Sequence, residues 1–239
     1  MDRGQMRRLT PLLMIESTMQ LFLYEEVMLL ALRNDKGTVT TCFSEHAVAG
    51  AVLAELLLTE HIKISSDKKG LVDVVQRKPL GDPIIDEALH SMATAKRRAS
   101  LKDWLSRLAR MKKLRHRVAE RLCTRGILRA TEDTILLIFK RKIYPELDPR
   151  PEQAIIKRLD AVIFGNQRDV DARTTVLISL AHGTELLQAN FGRKEIKAQK
   201  KRIEAIIEGE AIGKATKEVI QAVHAAIMVA TIVPVIVTS

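Results

Sequence analysis

A dense run of cations between residues 110 and 128 is the part of the sequence best suited to bind a partner. The run, RMKKLRHRVAERLCTRGIL, contains one acidic residue, Glu120. Its seven cations are Arg110, Lys112, Lys113, Arg115, Arg117, Arg121 and Arg125. Most charge runs form a solvated helix face, but clustered cations also hold anions such as phosphate. The arrangement of the side chains around a helix separates these interpretations in part.

A helical wheel sets Arg115 and Lys112 apart from the other cations. Drawn as one helix at about 100° per residue, residues 108–125 have an apolar stripe. The stripe contains Leu108, Met111, Val118, Ala119 and Leu122. Arg115 falls inside it, Lys112 falls at its rim, and the other five cations of the run face solvent. A guanidinium on the core side must pair with an acid, reach solvent or cost several kcal/mol. We therefore weigh an internal salt bridge for Arg115 against a phosphate pocket shared with Lys112.

The positive charge of the chain is concentrated in one segment. The 239 residues have a net charge of +10. Residues 96–129 alone contain thirteen lysines and arginines and two acidic residues, a net charge of +11. Such an excess suggests an anionic lipid surface, a nucleic acid or a phosphorylated ligand as partner. Nucleic acid is the less favoured of these, because only 3% of the residues are aromatic and no helix-turn-helix signature is present.

The sequence contains no recognisable catalytic or metal-binding motif. P-loop, GxGxxG and GxSxG patterns are absent, and the six histidines lack metal-ligand spacing. We expect Glu25 and Glu26 to cap a helix or form salt bridges. His182 is interpreted as a hydrogen-bonded core residue rather than a ligand. The expectation is a protein without catalytic residues, metal or cofactor, and not an enzyme.

The residues around the basic run predict one mainly α-helical domain. Apolar residues make up 46% of the chain and are almost all aliphatic, which favours helices over a sandwich or barrel. Glycines at 37, 126, 165 and 192 follow helical patterns, and Asp82 with Pro83 reads as a helix start. Apolar stretches on either side of residues 66–70 and 131–133 predict two small β-hairpins. We assign residues 1–20 to an N-terminal extension and residues 21–239 to a single domain.

The two ends of the chain bear on its location. Glu16 and Glu25 interrupt the apolar N-terminal run, which argues against a secretory signal. Residues 219–237 form a run long enough to span a bilayer. Gln221 and His224 interrupt it, so a buried terminal helix is favoured over a membrane anchor. The two cysteines form no CxxC motif, as suits a reducing cytosol.

A series of short motifs resembles the Golgi phosphoprotein 3 family. LFLYEEVMLLALRNDKGT at residues 21–38 is similar to the family's opening, with its Leu-x-Leu-x-Glu-Glu pattern, apolar run and glycine turn. The other matching motifs are LAEL (53–56), GDPIIDEAL (81–89), DWL (103–105), RGIL (125–128) and DARTTVLISLAH with ELLQANF (171–191). No single motif is highly specific, and the resemblance rests on their order and spacing over roughly residues 20–227.

The resemblance implies a helical domain that works at membranes. Eukaryotic members of the family bind phosphatidylinositol 4-phosphate on Golgi membranes and hold glycosyltransferases by their cytosolic tails. With the chains aligned on Gly126, the two headgroup-binding arginines of the family's basic helix fall on Lys112 and Arg115. The pocket tryptophan falls near Phe43, and a third headgroup arginine falls on Ala49. These departures suit a bacterial or divergent member that binds another anionic lipid.

The second predicted hairpin carries an apolar run that a short hairpin cannot bury by itself. The run contains Leu136, Leu137, Ile138 and Phe139, and three cations follow it at 140–142. In the resembling family this hairpin inserts at the membrane or mediates self-association. We expect the same use here, with an ordinary core strand as the alternative.

These features together predict a peripheral membrane protein. It is expected to bind an anionic headgroup, phosphatidylinositol 4-phosphate or a similar one, through Lys112, Arg115 and Phe43. The expected partners are an anionic membrane, cytosolic tails of membrane enzymes and a second copy of the chain. The expected location is the cytoplasm, at the cytosolic face of the Golgi if the source is eukaryotic. The alternatives are a nucleic-acid-binding protein and a scaffold whose cations are incidental.

Overall fold

The structure, a computed structural model, describes most of the chain from residue 20 to residue 208. The described ranges are 20–33, 38–39, 45–65, 70–135, 139–166 and 169–208, with residues 217, 220, 221 and 224. Ten helices lie in these ranges: α1 (Leu23–Ala31), α2 (Glu45–Leu58), α3 (Pro83–Ala93), α4 (Leu101–Leu108), α5 (Leu114–Thr124), α6 (Arg150–Ile163), α7 (Ala172–Gly183), α8 (Leu186–Phe191), α9 (Arg193–Ala198) and α10 (Lys200–Glu208). The mainly helical fold predicted from composition is confirmed.

Three antiparallel two-stranded ladders accompany the helices. They pair β1 (Leu32–Arg33) with β2 (Thr38–Val39), β3 (Ile62–Ile64) with β4 (Val72–Val74), and β5 (Thr131–Ile135) with β6 (Phe139–Ile143). The last two are the predicted hairpins. In the β5–β6 hairpin Thr131 pairs with Ile143 and Ile135 pairs with Phe139. The two-residue β1–β2 ladder was not predicted, because its residues carry no alternating pattern.

The centre of the fold is α1, which is buried along its whole length. Its apolar residues lie on all sides, as expected of a helix enclosed by others. It contacts α2, α5, α6, α7 and α8. The α2 helix beside it contains small residues, among them the fully buried Ala49 and Ala51, which let the two helices approach closely. The α5 helix, which carries most of the basic run, is therefore positioned by its packing on α1.

Residues with left-handed backbone divide two stretches of the chain that carry helical patterns. Residues 100–126, interpreted from the sequence as one or two helices, form two, α4 and α5, with Lys113 at φ 54° between them. The long helix expected before Gly192 is α7 and α8, with Glu185 at φ 59° between them, so the expectation of one helix there is wrong. The positions of the two breaks were not visible in the sequence, since a lysine or a glutamate gives no signal for positive φ.

Two described residues of the C-terminal run, Ile220 and His224, pack against the helical domain. Ile220 is fully buried, and Nδ1 of His224 lies 3.0 Å from the Ser179 hydroxyl on α7. Within the described ranges no helix combines the length and the hydropathy needed to cross a bilayer. Residues 225–239 lie outside those ranges, as do residues 1–19, so the assignment of an N-terminal extension stays a prediction.

Candidate anion-binding site

The basic run is a turn followed by a helix. The α4 helix ends at Leu108, residues 109–113 form a turn, and α5 starts at Leu114. The wheel drawn through residues 108–125 is therefore wrong for its first turn, because the left-handed backbone of Lys113 redirects the chain. Lys112 lies exposed on the turn, and Arg115 is half-buried as the second residue of α5. The two cations lie on either side of the helix start.

The start of α5 favours an anion. The first N–H groups of a helix lack intrahelical acceptors and carry partial positive charge. Here no side chain caps them, and the first turn contains no acidic residue. The chain turns into the helix through two backbone hydrogen bonds, from Leu114 N–H to the Met111 carbonyl and from Arg117 N–H to the Lys113 carbonyl. The helix dipole and the neighbouring cations therefore both attract an anion to the start of α5.

Arg115 and Lys112 make no ion pair or side-chain hydrogen bond with any residue that the structure describes. The internal salt bridge weighed for Arg115 thus has no acidic partner within the described ranges. Lys112 is exposed to solvent, whereas Arg115 keeps only part of its side chain in contact with water. Both charges remain available to an external anion.

The cations further along α5 behave differently from what the wheel predicted. Arg121 and Arg125 were expected to face solvent. Instead, Arg125 lies 2.7 Å from Glu25 Oε2, and Arg121 Nε lies 3.2 Å from Asp82 Oδ2. Both carboxylates are fully buried. The prediction failed because α5 is covered along its flank as well as along its apolar stripe, and long arginine side chains reach back to buried acids.

Glu25 and Glu26 of the Leu-x-Leu-x-Glu-Glu motif are paired, as predicted. Glu25 Oε2 accepts the Phe22 N–H at 2.9 Å, which caps α1, in addition to its bond with Arg125. Glu26 accepts a hydrogen bond from Arg158 at 2.8 Å. Burial raises the pKa of both carboxyls, against the opposing effect of the arginine charges. The motif is therefore an internal anchor, and its acids are not available to solvent ligands.

Asp82 joins three helices at one carboxylate. Its Oδ1 accepts the N–H groups of Ile84 and Ile85 at 3.0 Å each and so caps α3, as predicted from the Asp-Pro pair. Its Oδ2 accepts the hydroxyl of Tyr24 on α1 at 2.6 Å and pairs with Arg121 on α5. Burial raises the pKa of the Tyr24 hydroxyl, which therefore remains a donor. This junction fixes the position of α5 and hence of its free N-terminal cations.

His116 and Tyr144 form a contact beside Arg115 that the sequence did not predict. The His116 Nδ1 atom lies 2.9 Å from the Tyr144 hydroxyl, and the ring centroids are 5.9 Å apart. Tyr144 follows β6 and is buried. One turn along α5, Glu120 pairs with Lys142 of β6 at 3.3 Å. These contacts attach the base of the β5–β6 hairpin to α5 next to the candidate site.

The remaining histidines show no metal site. Within the described part of the chain, no group of three His, Cys, Asp or Glu side chains is arranged to hold a metal ion. His182 was expected to be hydrogen-bonded in the core. Its Nδ1 atom is instead buried without a hydrogen-bond partner among the described residues. Burial lowers its pKa.

Several predicted site residues lie outside the described ranges. These are Phe43 of the expected pocket and Leu136, Leu137 and Ile138 of the predicted association hairpin. Only the backbone of Phe139 is described, in its pairing with Ile135. Their roles stay predictions. Ala49, the position of the third headgroup arginine in the resembling family, is fully buried in α2 and offers no group to a surface site.

Comparison with known proteins agrees with the resemblance drawn from the short motifs. The family model of Golgi phosphoprotein 3 (GPP34) matches residues 23–223. Vacuolar protein sorting-associated protein 74 of Schizosaccharomyces pombe is 24% identical over 177 residues, covering 65% of this chain and 52% of the relative. The chain thus spans about half the length of this curated relative. Because the family model covers most of the described domain, the chain belongs to the Golgi phosphoprotein 3 family.

Proposed function

We propose that this protein attaches to membranes from the aqueous side by binding anionic phospholipid headgroups at the start of α5. One observation carries the proposal: Lys112 and Arg115 are unpaired among the described residues and flank an uncapped helix start. In the same helix, Arg121 and Arg125 are used to pair buried acids. A ligand site requires cations that are not already paired inside the protein, and Lys112 and Arg115 meet this requirement within the described ranges.

The two available cations supply complementary contacts to a phosphate. The planar guanidinium of Arg115 can donate two parallel N–H bonds to phosphate oxygens. Lys112 contributes a mobile point charge from the exposed turn. The helix start adds backbone N–H groups and a partial positive charge, which suits an anion. Since neither cation has an internal partner within the described ranges, binding requires no ion pair to be broken.

Family membership supports a role in membrane trafficking. The name of the fission yeast relative associates that protein with vacuolar protein sorting. The headgroup that we propose is that of phosphatidylinositol 4-phosphate or a similar anionic lipid. A lysine at 112 and an alanine at 49 leave fewer guanidinium contacts, so we expect broader selectivity among anionic lipids. We further propose a non-catalytic protein that engages cytosolic tails of membrane enzymes and works at the cytosolic face of the Golgi if its source is eukaryotic.

Vesicle co-sedimentation of matched variants tests the proposal. Arg115→Ala should abolish headgroup-dependent binding, and its free energy of unfolding should change little because no described ion pair is lost. Lys102→Ala removes one exposed charge from the neighbouring α4 and serves as the control; it should reduce binding only slightly. Equal binding by the wild type and Arg115→Ala would refute the site. Salt-sensitive retention on DNA without vesicle binding would favour the nucleic-acid alternative.

A further inference from the structure

His116 occupies a position from which it can add a charge to the candidate site. It is the third residue of α5, directly after Arg115, and is half-buried. Its ring is held by the Tyr144 hydroxyl at 2.9 Å from Nδ1. A histidine is the side chain whose ordinary pKa lies closest to physiological pH, so its charge can respond to modest changes in acidity.

The groups around His116 disfavour the protonated ring in the unliganded protein. The charged groups that act on it are Arg115 and Glu120 of α5, Lys113 just before α5, and Lys142 of the β5–β6 hairpin, while Tyr144 contacts its ring. Glu120 is the acid of this group and is itself paired with Lys142. Burial and then the charge of Arg115 lower the pKa of His116. An anion bound at Arg115 would offset the positive charge around His116 and so favour its protonated form.

The Tyr144 hydroxyl can hold the ring in both protonation states. A hydroxyl donates through its hydrogen and accepts through its oxygen. It can therefore donate to Nδ1 of the neutral imidazole and accept from the Nδ1–H of the imidazolium. Protonation at this contact adds a charge without expelling the ring, so that the charge appears beside Arg115.

We propose that His116 is a proton-dependent third cation of the headgroup site, so that anion binding takes up a proton and strengthens as the pH falls. This inference rests on the proposed function. The sign follows from linkage: the bound anion raises the pKa of His116, so affinity increases as pH falls through the pKa of the bound form and levels off below that of the free form. The gain is about 10-fold for each unit by which the anion raises that pKa.

The test measures binding to phosphatidylcholine vesicles containing phosphatidylglycerol, from about pH 7.5 to about pH 5.5. The phosphodiester keeps one charge over this range, so any change comes from the protein. Wild type should bind more tightly at the lower pH. His116→Asn keeps a polar group near Tyr144 but cannot titrate, and its binding should be weak and flat. His116→Lys should bind at the higher pH more tightly than wild type. His90→Asn, an exposed position on α3, is the control and should follow wild type.

The outcomes separate this inference from the proposed function. If Arg115→Ala loses binding while His116→Asn keeps the wild-type pH profile, the site stands and the role of His116 is refuted. A flat wild-type profile, or a His116→Lys variant no better than wild type at the higher pH, also refutes it. If Arg115→Ala binds like wild type, the headgroup site itself fails. If wild type binds no vesicles at either pH, both are refuted.

Discussion

At the scale of single residues, the arginines of one helix serve two different purposes. Arg125 donates to the fully buried Glu25 and to the Gln20 carbonyl, and its side chain is 15% exposed. Arg115 has no such partner among the described residues. An arginine that pairs with a buried acid is required for stability, whereas one without an internal partner is available for binding. Mutations of the two should therefore affect different measurements.

Arg125→Ala should destabilise the fold strongly. It leaves Glu25 buried opposite a void, with Oε1 already lacking a hydrogen-bond partner among the described residues. Removing one partner of a buried pair costs about 3 kcal/mol. Urea unfolding measures the loss, with Arg110→Ala as the control, since Arg110 is exposed and bonds only to the Ser106 carbonyl of its own segment in the described part of the chain. A change for Arg125→Ala no larger than that of the control would contradict this prediction.

At the scale of elements, the boundaries of α5 decide where its cations point. The helix ends in a Schellman arrangement, in which Gly126 N–H bonds to the Cys123 carbonyl and Ile127 N–H bonds to the Leu122 carbonyl. Gly126 has φ 73°, a left-handed conformation that side chains disfavour. From there the chain leads into β5, whose hairpin packs back on α5 through Tyr144 and Lys142.

Gly126→Ala should cost about 1 kcal/mol of unfolding free energy, because alanine resists the left-handed backbone. A Cβ at this position meets no atom within 4 Å, so the cost is backbone strain alone. Gly126→Asn should cost less, since asparagine tolerates this conformation better. Thermal unfolding of both variants measures which of them loses more stability. If asparagine were as costly as alanine, strain at residue 126 would not be the cause.

The sequence predicted those element boundaries that depend on local chemistry. Asp82 with Pro83 marked the start of α3, and Gly126 marked the end of α5, because a cap and a left-handed turn each demand particular residue types. The position of the break at Lys113 was not predicted, since tertiary packing imposes a left-handed backbone on a residue without that preference. The contacts of Glu25 with Arg125 and of His116 with Tyr144 join residues 100 and 28 positions apart and leave no local pattern.

At the scale of the whole molecule, the available charge and the second hairpin lie on neighbouring parts of the chain. Lys142 and Tyr144 connect the base of the hairpin to α5, beside His116. The apolar residues predicted to mediate association, Leu136 to Ile138, come between β5 and β6 in the sequence and lie outside the described ranges. Headgroup binding and association are therefore expected to involve connected surfaces.

Leu137→Glu should weaken both self-association and vesicle binding while leaving the fold intact. A carboxylate within the apolar run opposes insertion into an apolar interface and repels anionic lipid. Analytical ultracentrifugation and vesicle co-sedimentation measure the two effects, and circular dichroism reports the fold. Glu132→Gln, at an exposed position of β5, is the control and should retain both properties. Unchanged association and binding in a folded Leu137→Glu protein would assign the run to an ordinary core strand.

The contacts of the Asp82 carboxylate have a consequence for how the protein unfolds locally. The buried Asp82 carboxylate accepts hydrogen bonds from Tyr24 of α1 and from the first N–H groups of α3, and it pairs with Arg121 of α5. Moving α3 and its cap away would therefore leave the Tyr24 hydroxyl without its acceptor and Arg121 without its acid. The three helices should thus behave as one cooperative unit in amide hydrogen exchange. A headgroup held at the start of α5 would then slow exchange in α3 as well, although α3 contributes no residue to the headgroup site proposed here.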